Sequence, residues 1–384
     1  MNILYILNSN AQFSGASKSL KILLQGLIAR EVKPYIVMPE DGPLRNELED
    51  MGCEVLVTNY RANAYPHFDN LKNRILFIPR LIARLVTIHL AIFKVDRWIK
   101  NKNINIVHSN VSVVNVGYHV AKRNSLPHIF HIREYGDKDF NIHLFPTRKI
   151  ALKKVAESYT ICITKDLQRY YGLESDPKSM VVYNGINDIS KPLIQSTSRD
   201  YYLFAGRIEP TKGLLELVQA YKLYHDSITN SLPLLVAGNI GSQEYFDTIQ
   251  QYITANKLTN EIKMLGLRSD IESLMANAAA IIIPSHFEGF GRCMAEAMWN
   301  KCLVIGNDTG GTHEQFTNGN EYCGREIGLR YSNIPGLAKH LIEVHQNGND
   351  YYEQMRKDAY SAVTHLYSNE SYINSVYNLY KTKI

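Results

Sequence analysis

The chain has 384 residues, 45% of them hydrophobic and 21% charged, with a formal net charge of +5. This length is too great for one compact core and predicts two domains, and the composition excludes a disordered or fibrous protein. The mild charge does not argue for nucleic acid, which is not expected as a partner.

The first residues, Met1-Asn2-Ile3-Leu4-Tyr5-Ile6-Leu7-Asn8, lack a basic n-region, and their apolar run is too short for a signal peptide. They read as a buried first strand, and a cytoplasmic protein is expected. Cys53, Cys162, Cys293, Cys302 and Cys323 are scattered and form no C-x-x-C pair. That pattern suits a reducing compartment and offers neither a disulfide framework nor a metal site. Short apolar runs then alternate with longer helical stretches, the pattern of parallel α/β layers. Strands are predicted at 2–7, 35–39, 53–57, 105–109, 128–132, 159–163 and 180–183.

The stretch 69–103 departs from this alternation and carries eight Lys/Arg against two Asp. Arg80 and Arg84 interrupt its apolar part from Ile75 to Phe93, so a spanning helix is not expected. Two readings stand: an interfacial helix suited to an anionic membrane surface, or a long covering helix whose arginines face water.

Turn residues and a polar run over 184–200 predict a hinge. A second set of strands follows at 201–205, 233–237, 262–265, 280–284, 302–306 and 326–329, with a helical tail over 351–384. Each half opens with a strand, a glycine-containing loop and a helix, predicting two Rossmann-like domains.

Three junctions in the second half carry chemistry. In FAGRIEPTKG, Gly206 ends a strand, Arg207 stands at its carboxyl end, and Lys212-Gly213 open the next helix. Ligands in open α/β sheets bind at this edge, and two cations there suit a diphosphate. The plainer reading is a surface pair between Arg207 and Glu209. The second junction is Pro284-Ser285-His286-Phe287-Glu288-Gly289-Phe290-Gly291, with Glu296 in the helix beyond. Its glycines permit close backbone approach, and a carboxylate suits a vicinal diol. The third is Gly310-Gly311-Thr312-His313-Glu314. Together they describe a nucleotide-diphosphate pocket. Neither a G-x-G-x-x-G nor a G-x-x-x-x-G-K-[ST] is present, which disfavours dinucleotide and P-loop readings.

These elements resemble GT-B glycosyltransferase family 4, the retaining glycosyl transferases-group-1 type. The resemblance rests on G-R-x(4)-K-G at Gly206–Gly213, E-x(7)-E at Glu288–Glu296, G-G-x-x-E at Gly310–Glu314, and Asn184-Gly185-Ile186. Asn187 stands where the family often has Asp. The resemblance implies a GT-B fold, two Rossmann-like domains facing across a cleft, with a C-terminal helix returning to the first. The implied bounds are an acceptor domain over 1–190, a nucleotide-sugar domain over 191–365 and the returning helix over 366–384. Arg207 and Lys212 would neutralise the donor diphosphate, and Glu296 would hold the ribose. Glu288, with the backbone of Gly289, Phe290 and Gly291, would contact the sugar. Gly15 would form the N-terminal glycine loop, His131 would stand near the sugar, and His108 is a weaker candidate for the acceptor side. Gly266, Leu267 and Arg268 would meet the base.

The implied reaction is retaining hexosyl transfer from a UDP- or GDP-linked donor, with no cofactor, no dedicated protein base and no metal. The implied acceptor is a glycan, probed by family habit toward a polyprenyl-linked one in bacterial capsule or surface-polysaccharide synthesis at the inner face of the membrane. Alternatives are a UDP-sugar 2-epimerase, a glycogen-synthase-like polymerase, or a non-enzymatic nucleotide-sugar-binding subunit. A dehydrogenase is the outsider.

Overall fold

A computed structural model describes residues 1–12, 14–65, 71–140, 142–186, 193–196 and 198–383. The chain divides into two compact units, Met1–Gly185 with Asn369–Ile384, and Ile186–Ser368. The first boundary thus falls before Ile186 rather than at 190/191, and the second at 368/369 rather than 365/366. Asn187 lies outside the described residues.

The first unit is built on a seven-stranded sheet. Its strands are β1 (Asn2–Ile6), β2 (Lys33–Met38), β3 (Glu54–Val57), β4 (Ile106–Ser109), β5 (His128–Ile132), β6 (Tyr159–Cys162) and β7 (Ser179–Val181). The order is β3-β2-β1-β4-β5-β6-β7, and every pairing is parallel. The direction of winding reverses between β1 and β4, a topological switch point.

Helices cover both faces, which is why the central strands read as apolar throughout. On one face Leu20, Leu23, Leu24 and Leu27 of the helix Gly15–Ile28 share a core with Tyr372, Ile373 and Val376 of the C-terminal helix Asn369–Lys381. Gly26 makes this contact possible, since a Cβ there would stand 2.3 Å from Ile373 Cδ1. On the other face Ile88, Ala91, Ile92, Val95 and Ile99 of the helix Phe77–Ile99 pack against Val116, Val120 and Ala121. The helix Phe77–Ile99 of this stretch therefore does cover the sheet. Its arginines are not simply solvated, because Arg84 donates to the carbonyls of Ala64 and Tyr65.

The second unit has six strands: β8 (Tyr202–Ala205), β9 (Leu234–Ala237), β10 (Ile262–Gly266), β11 (Ala280–Ile283), β12 (Val304–Asn307) and β13 (Leu329–Tyr331). Their order is β10-β9-β8-β11-β12-β13, again all parallel, with the switch point between β8 and β11. All thirteen predicted strands are present, with ends shifted by at most three residues. Burial is near total in β11, where Ala280, Ile281 and Ile282 are 0% exposed. Each such isoleucine contributes about 1.5–3 kcal/mol through burial. Parallel pairing also places the carboxyl ends of all six strands on one edge, so the loops after β8 and β11 flank the switch point from either side.

Candidate donor site at the carboxyl edge of the second sheet

The loop after β8 reaches its helix through a short turn, Pro210–Lys212, closed by Gly213 in the left-handed region at φ 67°. A Cβ on Gly213 would lie 2.0 Å from the Pro284 carbonyl oxygen. Glycine is thus required twice over, by backbone conformation and by the approach of the β11 loop. Gly206 has no comparable need, since a Cβ there would meet only the far end of the Phe204 ring at 3.4 Å. The turn into the helix is made at Gly213.

This approach brings the two loops' charges together. Lys212 Nζ donates to Glu288 Oε1 at 2.6 Å, and the same oxygen accepts from Ser285 Oγ at 2.7 Å. Both side chains are largely buried, 24% exposed for Lys212 and 20% for Glu288. Burial opposes the Lys212 ammonium, but the Glu288 carboxylate outweighs it and holds the amine above the ordinary lysine value. Arg207 extends from the same loop, half exposed, with Nη1 3.5 Å from Glu209 Oε2. The surface pair weighed for Arg207 therefore exists, at the long end of ion-pair range.

Glu296 sits on the helix Arg292–Trp299, whose N-cap is Gly291 at φ 82°. Its Oε1 accepts from Arg292 Nη2 at 3.1 Å, one helical turn earlier. Phe290 is buried edge-on against Tyr367, 5.2 Å between ring centres. The Phe290 carbonyl accepts from Gln315, and Gly311 N donates to the Glu288 carbonyl at 2.8 Å. Gly311 must be glycine, because a Cβ would stand 2.7 Å from Phe290 Cα. The helix Gly310–Cys323 thereby locks the Gly289–Gly291 segment against the helix that carries Glu296. After β10, Gly266 turns at φ 66°, Leu267 is 69% exposed, and Arg268 pairs with Asp270 at 2.6 Å.

The structure therefore gathers Arg207, Lys212, Glu288, Gly289, Phe290, Gly291 and Glu296 around one switch point. Ser285 and Arg292 belong with them and went unpredicted. Arg292 was legible as a charge four residues before Glu296, whereas Ser285 acquires its role only from the fold of the loop. Among the described residues no group of His, Cys, Asp and Glu could hold a metal ion.

In the first unit, Gly15 opens the helix after β1, behind the N-cap Ser14. His131 is 0% exposed within β5, and its Nε2 is buried with no hydrogen-bond partner among the described residues. Arg133 Nη2 lies 3.2 Å from His131 Nδ1, and His108 Nε2 lies 3.2 Å from the same atom. A guanidinium only donates, so Nδ1 accepts and the His131 proton sits on Nε2. His108 Nε2 must then donate, leaving its Nδ1 to accept from Tyr380 OH at 2.6 Å. Burial first, then the Arg133 charge, pushes both histidines well below the ordinary value, in keeping with two neutral rings. At the end of β5, Arg133 instead donates to Asn110, Asn184 and Tyr372, and Glu134 accepts from Ser112 N and Oγ at 2.8 Å.

With this geometry in place, residues 186–362 match the family model described as glycosyl transferases group 1. The second unit belongs to that family. The chain is a glycosyltransferase of GT-B fold that carries the group 1 domain in its second unit. It is 24% identical to an uncharacterized glycosyltransferase of Methanocaldococcus jannaschii over 86% of this chain and 91% of that relative. It is 21% identical to the capsular polysaccharide biosynthesis glycosyltransferase CapH of Staphylococcus aureus, over 70% of each chain. Among solved structures, HepE of Anabaena in complex with UDP superposes with a TM-score of 0.77 over 100% of both chains at 17% identity. That likeness concerns the fold. The glycosyltransferase identity disfavours the epimerase and dehydrogenase readings.

Proposed function

We propose that this glycosyltransferase is a retaining, metal-independent hexosyltransferase of family 4. It takes a UDP- or GDP-linked sugar and transfers to a hydroxyl of a polyprenyl-linked glycan in bacterial surface-polysaccharide synthesis. The observation that carries the reading is the Lys212–Glu288 pair at the β8/β11 switch point, with Arg207 on the same loop.

In this reading the donor diphosphate lies against Arg207 and Lys212, which are placed before the reaction and stabilise the charge that develops as it leaves. Glu296, held by Arg292, receives the ribose diol. Glu288, oriented by Ser285 and Lys212, meets a sugar hydroxyl, and Leu267 and Arg268 lie toward the base. Gly15 would stand at the N-terminal glycine loop. The acceptor hydroxyl attacks from the leaving-group face, and a diphosphate oxygen takes its proton. The UDP bound by HepE supports a uridine donor, and the role printed for CapH supports a surface-polysaccharide product.

A membrane-borne acceptor is supported by the helix Phe77–Ile99. No described helix is long and apolar enough to cross a membrane, yet this one shows solvent a continuous apolar row. Enzyme activity is tested by incubating the protein with UDP-, GDP-, ADP- and dTDP-sugars and measuring released nucleoside diphosphate. One donor is expected to be turned over by the native chain and not by Lys212→Gln. Equal release from both, or none from the native chain, overturns the catalytic reading and favours a nucleotide-sugar-binding subunit.

A further inference from the structure

The helix Phe77–Ile99 has two apolar sides. One, centred on Ile88, Ala91, Ile92, Val95 and Ile99, is buried in the first unit. The other, Ile78, Ile82, Val86, Leu90 and Phe93, is spaced by fours and a three and lies on one helical face. Each of these five side chains is between 50% and 60% exposed. An apolar row of this length on the surface of a soluble domain marks an interaction site.

Between the two sides runs a groove of about 340 Å³, its floor formed by Leu85, Ile88, Ile92, Phe145 and Pro146. That volume is within the range of ligand pockets. The groove's polar lining is cationic or basic: Arg123, Lys154, His89 and His119, with Asn63. None of the described lining residues is acidic. Arg123 is drawn to Asp96 at 2.7 Å, whereas Lys154 Nζ lies 3.3 Å from His119 Nε2 and 5.7 Å from the centre of the Tyr118 ring. Burial lowers Lys154, an effect the Glu157 carboxylate offsets in part, and burial with the neighbouring Lys154, His89 and Lys122 pushes His119 down to about 4. A half-buried ammonium over an apolar floor is an arrangement that an anion relieves.

We propose that this groove holds a single phosphate-bearing lipid of an anionic membrane, its phosphate on Lys154, Arg123 and the His119 edge and the start of its chain on Leu85, Ile88 and Ile92. The exposed row from Ile78 to Phe93 enters the interface beside it. An anionic amphiphile is the ligand that uses both features, since a free anion leaves the floor unfilled and a neutral lipid leaves the basic lining unused. The proposal rests on the membrane reading above and adds a defined lipid site to it.

The test is sedimentation of the full chain with phosphatidylglycerol vesicles and with vesicles of equal surface charge carried by fatty-acid carboxylate. The native chain is expected to favour the phospholipid. Each cation removed from the groove lowers partitioning about five-fold, so K154Q with R123Q is expected to cost about twenty-five-fold. Leu85→Trp, which fills the groove and leaves every charge in place, is expected to abolish the preference for phosphatidylglycerol while residual binding to both vesicles remains. Thermal melts matching the native chain show that the variants fold. Native-like preference in Leu85→Trp overturns the groove site and leaves the membrane reading standing. No binding of the native chain to either vesicle overturns both, and nucleoside-diphosphate release reports on catalysis independently.

Discussion

Lys212 and Glu288 come from different loops of the second sheet and meet at 2.6 Å across its switch point. They are expected to act as one unit. Glu288→Gln leaves the Lys212 ammonium without its carboxylate, and Lys212→Gln frees Glu288 to move. Each single variant is expected to lower kcat by about 10²–10³, and the double variant by little more than either alone. Nucleoside-diphosphate release at saturating donor measures all three. Losses that multiply would show that the two side chains act separately.

Gly213 and Gly206 are expected to respond oppositely to a methyl group. Gly213→Ala sets a Cβ against the Pro284 carbonyl in a left-handed backbone. It should cost at least about 1–3 kcal/mol and displace Lys212. Gly206→Ala meets only a ring edge, and should stay within about 1 kcal/mol of the native chain. Denaturant titration of the two variants decides, and equal losses would refute the contrast.

Tyr380 ties the C-terminal helix to β1 and β4 through Tyr5 OH at 3.0 Å and His108 Nδ1 at 2.6 Å. Tyr380→Phe leaves a buried imidazole nitrogen without its donor, at a cost of about 1–3 kcal/mol. The loss should appear in the unfolding transition of the first unit, followed by hydrogen exchange over the residues 369–383. Unchanged protection there would count against the relay.

Glu134 predicts a pH dependence. Burial, opposed by hydrogen bonds from Ser112, raises its carboxyl from 4.5 to about 7. Between those values the unfolded chain has released this proton and the folded chain retains it. Rising pH therefore favours unfolding across that window, by about 3 kcal/mol in all, and no further above it. Glu134→Gln removes the effect, so the stability gap between variant and native chain should widen by that amount from about pH 4 to about pH 8. A gap that stays constant would place an ordinary carboxyl at this position.

Much of the site was legible because its signals are local. A glycine, a cation or a carboxylate directly after a strand must stand at the sheet edge, whichever sheet the strand joins. Arg207, Lys212 and Glu288 were placed that way, and Glu296, inside the next helix, was named through the E-x(7)-E resemblance. His131 was named from the family resemblance, and only strand order and burial show its ring against His108 and Arg133. Ser285 had no sequence signal at all, since its bond to Glu288 depends on how the loop closes.

The sequence by itself determined the alternation of strands and helices and the motifs at the second sheet's carboxyl edge, because apolar periodicity and turn chemistry act over a few neighbouring residues. Only the tertiary structure decided that Gly213, rather than Gly206, is the indispensable glycine. It also decided that Lys212 and Glu288 are partners, and that the helix Phe77–Ile99 keeps an apolar face bare. Each of these depends on what a distant segment places within a few ångströms, and local sequence carries no record of that.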